Sequence, residues 1–286
     1  MKFLKLKLLI LCFIYICVES YVYASDEIIM GVFPRRNSTA TIKMFSPLAN
    51  YLSVELGKKV KIRTAKNFPT FWKNVQEKKY DIVHYNQLHY ILSHKKAGYE
   101  VIAKNEEYGV SELKPAIVVR KDSGINSVKD LKGKSIAFGG GKLGMISYVG
   151  NKRILQEAGL TESDYKSSIA KNPPNATMAV YFNKSDAAGV GDIALSLPML
   201  KKKIDTEQLK LLAVGSTQPH IPWVVKTSMN SQDKTRVQSA LLKLNDTDVG
   251  KKILKNAGLT GVLKAKDSDY DISRKTYNDF KTWKSN

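Results

Sequence analysis

From residue 27 onward, short apolar runs alternate with longer amphipathic stretches, and this rhythm leaves the chain few architectures. EIIMGVF (27–33) has the length and composition of a buried strand and stops at Pro34. Asn37, Ser38 and Thr39 then offer helix N-caps ahead of an apolar face at Ile42, Phe45, Leu48, Ala49, Leu52 and Leu56, which Gly57 closes. Strands are predicted over 59–64, 80–84 and 100–103, with helices over 68–78 and 87–97 between them. Strand–helix alternation of this kind predicts a mostly parallel α/β sheet.

A second unit of the same type starts near Ala116. AIVVRKDSGI supplies a strand and turn, SVKDLKGK a short helix and SIAFGGG a further strand. A helix is expected over 145–158, a strand over 167–171, a helix after NPPN, a strand at AAGVGD and a helix ending near Lys203. The run at 209–214 is expected to carry the chain back toward the first unit, and the remainder after IPWVVK is largely helical in pattern. The expected organisation is a leader at 1–24, a first lobe at 25–116, a second lobe at 117–216 and a return to the first lobe with C-terminal helices at 217–286. In such a two-lobe α/β fold the ligand cleft lies between the lobes, where the C-terminal ends of parallel strands collect ligands.

The first 24 residues have the form of a secretory signal: Lys2, Lys5 and Lys7, an apolar run from Leu8 to Val18, and a small-residue exit at Val22-Tyr23-Ala24. The run is too short for a comfortable membrane span, which needs about 20 apolar residues. Cleavage after Ala24 is favoured over lipidation of Cys17, because Ile16 is bulky where a small residue should precede a lipidated cysteine. Both cysteines, Cys12 and Cys17, fall within this leader, so neither a disulfide nor a thiol nucleophile is available to the mature chain. The protein is expected to be exported.

The formal charge is +20; loss of the leader removes three lysines and Glu19 and leaves +18. Nucleic acid is not the expected partner. The lysines are scattered or in short groups such as Lys201-Lys202-Lys203, and only seven of the 46 basic residues are arginines, the type favoured for bidentate phosphate recognition. A positive field does raise the encounter rate with small anions.

FGGGKLGM (138–145) is the most suggestive loop. A Walker loop would need Gly-Lys-Ser/Thr, whereas Met145 and Ile146 follow Gly144 here. The Gly139, Gly141, Gly144 spacing matches G-x-G-x-x-G only weakly, with no acidic residue closing the next strand. The loop nevertheless follows a strand and precedes a helix, where free backbone N–H groups favour an anion, and Gly140, Gly141 and Lys142 are its candidate contacts. His84, His89 and His94 recur at intervals of five, which on a helix does not stack them as metal ligands, so no metal is expected. His84 is read as a cleft residue, His89 and His94 as ordinary helix-surface or packed residues. No G-x-S-x-G elbow and no cofactor motif is present, and the chain is not expected to be an enzyme. Asp186 and Asp192 flank AAGVGD; Asp192, at the strand end, is a candidate acceptor for a ligand amine or hydroxyl. Phe33, Arg35, Arg36, His84, Tyr85, Asn86, Asn175, His220 and Trp223 complete a set of polar and aromatic residues at strand ends, the mixture typical of binding clefts.

Taken together, MGVFP, FSPLANYL, YDIVHYNQLHY, IVVRKDSGINSVKDLKGKSIAFGGG and AAGVGD resemble the periplasmic substrate-binding proteins of phosphonate, phosphite and phosphate ABC importers, over roughly residues 28–200. The resemblance implies the periplasm as the location and a type II-like two-lobe binding protein, monomeric, that closes on a small oxyanion and passes it to a membrane permease; the alternative is a sensory protein reporting to a histidine kinase. It also implies a Ser-Thr-Ser run at the second-lobe helix and a histidine before the next helix. This chain has Leu143-Gly144-Met145 and NPPNA at those places. The oxyanion donors are therefore expected to be backbone N–H groups of the Gly140 to Gly144 region, aided by Lys142 or Ser147, with Asn175 in place of the histidine. First-lobe contacts are expected from Asn37, Ser38, Thr39, Tyr85 and Asn86.

Overall fold

The computed structural model of the protein describes residues 27–284; the predicted leader and its cleavage site after Ala24 lie outside the described residues. The chain opens with three strand–helix units. Strand β1 (Ile28–Val32) leads to α1 (Ser38–Leu56), β2 (Val60–Arg63) to α2 (Phe68–Gln76), and β3 (Ile82–His84) to α3 (Gln87–Ser93). Each helix is started by an asparagine: the side-chain oxygens of Asn37, Asn67 and Asn86 accept from the N–H groups of Ala40, Thr70 and His89 at 2.8, 2.9 and 3.1 Å. Strand β4 (Tyr99–Glu106) follows, and after a turn β5 (Glu112–Leu113) leads out of the first unit.

The second unit contains β6 (Pro115–Arg120), β7 (Ser135–Gly139), a single π-helical turn (Met145–Gly150) that runs into α4 (Asn151–Glu157), β8 (Lys166–Ala170), α5 (Pro173–Tyr181), β9 (Ala187–Gly191), α6 (Pro198–Lys201) and β10 (Leu209–Val214). The chain then returns through β11 (Gln218–Pro219) to β12 (Pro222–Lys226), α7 (Ser231–Lys243), α8 (Asp248–Ala257), β13 (Gly261–Lys264) and α9 (Asp271–Lys284).

Two sheets result, ordered β13-β4-β12-β3-β1-β2 and β10-β6-β9-β7-β8. Both are mixed, which corrects the expectation of mostly parallel sheets. The β2-β1-β3 and β8-β7-β9 runs are parallel, as strand–helix units demand, but β12, β13, β6 and β10 join antiparallel. The run at 209–214 does not return to the first unit either: it is the antiparallel edge strand beside β6, and the return is made after it.

Apolar faces of α1, α7 and α8 bury Phe45, Leu48, Leu52, Val237, Leu241, Ile253 and Leu254 against one side of the first sheet. Phe71, Val75, Tyr85 and Tyr90 from the α2 and α3 region fill the other side. Ile136, Phe138, Val149 and Leu155 form the centre of one core of the second sheet, and Phe280 of α9 joins that core. The last helix thus packs on the second unit although the strands before it belong to the first. Among the described residues no helix is long and apolar enough to cross a membrane.

Candidate functional site

Strand register decides which edges of the two sheets face each other. His84, at the end of β3, pairs with Trp223 at the start of β12, and Pro222 pairs with Lys104 near the end of β4. The carboxyl ends of β1, β3 and β4 therefore share one edge of the first sheet, and both connecting segments attach there. In the second sheet Pro115, the first residue of β6, pairs with Gly191, the last of β9, and Val214 pairs with Ala116. The carboxyl ends of β7 and β9 and both connections thus share one edge of the second sheet. β5 and β11 hold the two connections together as a short antiparallel pair. The carboxyl-terminal edges of the two sheets thus flank one paired connection, the place where a two-lobe fold would have its hinge.

On the second-sheet side of this hinge lies the glycine loop. Gly140 and Gly141 have φ of 106° and 112°, backbone that side-chain-bearing residues rarely adopt. Gly140 N–H donates to the Ala170 carbonyl at 2.9 Å and Gly144 N–H to the Gly141 carbonyl at 3.0 Å. Among the described residues no hydrogen bond is made by the backbone N–H groups of Gly141, Lys142, Leu143, Met145 or Ile146. Five donors on a loop that opens a helical turn form a strip suited to the oxygens of an anion. Neighbouring α5 is different. Pro173 and Pro174 carry no N–H, and Asn172 Oδ1 already takes the Asn175 N–H at 2.9 Å. That helix end offers an anion no free backbone donor before its second turn; Asn175 contributes only an exposed side chain.

Asp192 closes the hinge edge of β9. Its N–H donates to the Lys114 carbonyl at 2.9 Å while its Oδ1 accepts from the Lys114 N–H at 3.0 Å. One carboxylate oxygen is thereby committed to the chain itself.

On the first-sheet side, the structure gathers a buried polar cluster that sequence reasoning did not assemble. Trp223 Nε1–H donates to Asn105 Oδ1 at 2.8 Å, and Asn105 Nδ2 donates to Glu107 Oε1 at 3.1 Å and to His84 Nε2 at 3.4 Å. His84 Nδ1–H donates in turn to the Pro222 carbonyl at 3.2 Å, which fixes the neutral tautomer, and the ring stacks on Trp223 with centroids 4.2 Å apart. Burial, reinforced by the nearby Arg35 charge, holds the His84 imidazole down to about 3. Burial works to raise the carboxyl of Glu107, but the Arg35 guanidinium, with smaller contributions from His220 and His84, outweighs it and the group sits at about 2. His220 is buried; its Nδ1 accepts from the Ile221 N–H at 2.8 Å, so the proton lies on Nε2, which has no partner among the described residues.

Several predicted contacts take other roles. Tyr85 does not line the cleft: it is fully buried, with its hydroxyl 2.6 Å from Ser93 Oγ inside the first-lobe core. His84 is enclosed by Trp223, Phe45 and Phe33, with both ring nitrogens in use, and is not free to meet a ligand. His89, read as a helix-surface or packed residue, is the packed kind: it is fully buried beside Phe68 and Trp72. Asn37 and Asn86 spend their side-chain oxygens on helix caps and keep only their amide N–H groups. Ser38 Oγ leans on the Ala65 carbonyl at 3.4 Å, Thr39 is exposed, and Gly140 and Lys142 are exposed at the loop. Among the described residues no group of histidines, cysteines or carboxylates could hold a metal ion.

Residues 30–270 match the family model described as ABC transporter, phosphonate, periplasmic substrate-binding protein. The chain belongs to that family. Solved structures with the same fold include PhnD1 from Prochlorococcus marinus in complex with methylphosphonate, at 19% identity, covering 90% of this chain and 99% of that one with a TM-score of 0.75. A binding protein component of an ABC phosphonate transporter from Pseudomonas aeruginosa is similar at 17% identity over 90% of this chain and 87% of that one, with a TM-score of 0.74. XAC2383 from Xanthomonas citri, solved with ATP bound, gives 14% identity over 91% and 99%, with a TM-score of 0.78. At these identities the likeness concerns the fold: a mixed α/β, two-sheet periplasmic binding protein. Within this family, the present chain has a glycine loop with unpaired backbone donors and an exposed Leu143, while Met145 is buried in the second-sheet core.

Proposed function

We propose that the protein is exported to the periplasm, with its leader removed after Ala24, and there closes its two lobes on a small oxyanion. The ligand is passed unchanged to the permease of an ABC importer. The observation that carries this reading is the strip of unpaired N–H groups at Gly141, Lys142, Leu143, Met145 and Ile146, set at the edge of the second sheet that flanks the hinge. Family membership supplies the transport context. The Nε2–H of His220, buried at the hinge without a partner, and the amide N–H groups of Asn37 and Asn86 are the first-lobe donors that closure would bring toward the same anion. Neither lobe surrounds a ligand alone, so affinity depends on the closed form, and the ligand shifts the equilibrium by its preference for that form.

A thermal-shift screen of the mature chain against methylphosphonate, phosphate, phosphite, aminoethylphosphonate and methanesulfonate tests this directly. A ligand that binds only the folded chain raises the melting temperature with concentration. A selective shift with one of these anions supports the reading, and no shift with any of them rejects it.

A further inference from the structure

The loop between β1 and α1 puts an arginine, Arg35, at the hinge edge. Arg35 reaches to Glu107, one residue beyond the end of β4, with Nη1 2.8 Å from Oε1 and Nη2 3.4 Å from Oε2. The pair is unequally exposed: the arginine side chain is 51% accessible and the glutamate side chain 8%. A carboxylate this buried needs its cation, so Glu107 holds the guanidinium in place. Asn105 holds Glu107 in turn. About half of the arginine side chain remains accessible, and no hydrogen bond of its Nε–H is found among the described residues. It stands beside the Phe33 ring, its central carbon 5.8 Å from the centroid, at the first-sheet edge that flanks the hinge. A guanidinium fixed along one edge and free along another is preorganised for a further oxyanion, because its fork matches such groups and loses little freedom on binding.

Resting on the oxyanion reading above, we propose that Arg35 gives the ligand its charged contact from the first lobe, and that Glu107 is a positioning residue that also tempers the charge felt there. The glycine loop offers neutral N–H donors and one exposed lysine, Lys142, which no ion pair among the described residues holds in position, and His84 and His220 are buried and neutral. Arg35 is the cation that a buried carboxylate fixes at the first-sheet edge. The full negative charge on Glu107 lies against the same guanidinium, so an incoming anion meets a partly compensated site rather than a bare cation.

Three variants separate this from a purely structural ion pair. Arg35→Gln alone strands a buried carboxylate and can fail for that reason, so the decisive variant is Arg35→Gln with Glu107→Gln, which leaves no uncompensated charge. Titration calorimetry with methylphosphonate and with inorganic phosphate, alongside melting curves, is the readout. The double variant should melt near the wild-type temperature and bind at least tenfold more weakly. Glu107→Gln alone should bind several-fold more tightly, since repulsion is removed while Arg35 stays. A folded double variant with wild-type affinity overturns the Arg35 assignment, and Glu107→Gln with unchanged or weaker affinity overturns the tempering role. A wild-type chain that binds neither anion removes the oxyanion reading itself, and this assignment falls with it.

Discussion

Gly139 stands so close to Pro173 that a β-carbon built on the glycine would lie 2.4 Å from the proline Cα. The last residue of β7 and the first residue of α5 thus touch backbone to backbone, and the glycine loop is braced from behind by a helix end whose own donors are absent or capped. That contact fixes where the strip of free N–H groups begins.

Gly139→Ala should therefore push α5 away and loosen the loop. Overpacking of this kind costs typically about 1–3 kcal/mol. Urea denaturation should show a lower midpoint with an unchanged slope; an unaltered midpoint would mean that the contact is slack.

Stability should fall as the medium is acidified from neutrality. Burial holds His84 near 3 and His89 and His220 near 4, below the ordinary histidine value of about 6.5. Each is a base whose folded value is depressed, so the unfolded chain takes up its proton first. The stability these groups contribute is complete above about pH 6.5 and is lost as pH falls toward 4 and 3. Glu107, which burial raises but Arg35 with His220 and His84 bring down to about 2, adds a loss in the same direction below about pH 4.5. Unfolding free energies from denaturant titrations at neutral pH and near pH 5 should differ by an amount on the order of 1 kcal/mol or more, with a lower midpoint at pH 5. Equal midpoints would contradict the neutral, buried state of the histidines.

Lys152 is a buried cation at the centre of an aromatic cluster. Its side chain is fully buried, with Nζ 2.7 Å from Glu162 Oε2, 2.8 Å from Tyr165 Oη, and 4.5, 4.7 and 5.3 Å from the Tyr165, Phe138 and Tyr148 ring centroids. Removing the whole stem leaves a cavity and strands the tyrosine hydroxyl, so Lys152→Ala should cost about 2–5 kcal/mol. Lys152→Met, which keeps the volume, should cost less. The reverse order in melting temperature would show that volume is not what the site needs.

At the hinge, Asp192→Ala removes the acceptor for the Lys114 N–H and should cost about 1 kcal/mol. The local signature is faster hydrogen exchange at Lys114, measured on the mature protein. Exchange at the wild-type rate would place the restraint in the backbone bond from Asp192 N–H to the Lys114 carbonyl alone.

Strand–helix alternation, the glycine stops and the two-unit division were legible because periodicity and capping are local. Asn37 was legible as a cap from its place ahead of an apolar helix face; Asn86 was not, although its Oδ1 likewise takes an N–H three positions on, and in both that local bond uses the oxygen a ligand contact would need. Sheet sense was not legible at β10, since pairing Leu209 with Arg120 is a matter of register across the chain. Nor was the Arg35–Glu107 pair, whose partners are 72 positions apart with no shared motif. His84 misled because a polar residue at a strand end looks available until Trp223 is seen stacked on it. Tyr85 misled in the same way: alternation along the strand turns it toward Ser93 and the core.

The central claim is that the glycine loop holds the oxyanion, and its most direct test is calorimetric titration of methylphosphonate into the mature wild-type chain and Gly141→Val. A β-carbon at Gly141 meets nothing within 4 Å, so the new side chain occupies the open space over the donors, and the φ of 112° adds strain to the loop itself. The account predicts one-to-one binding by the wild type and at least a roughly tenfold weaker constant for the variant, the loss expected when hydrogen bonds to a charged group are broken. Equal affinities in two folded proteins would contradict it.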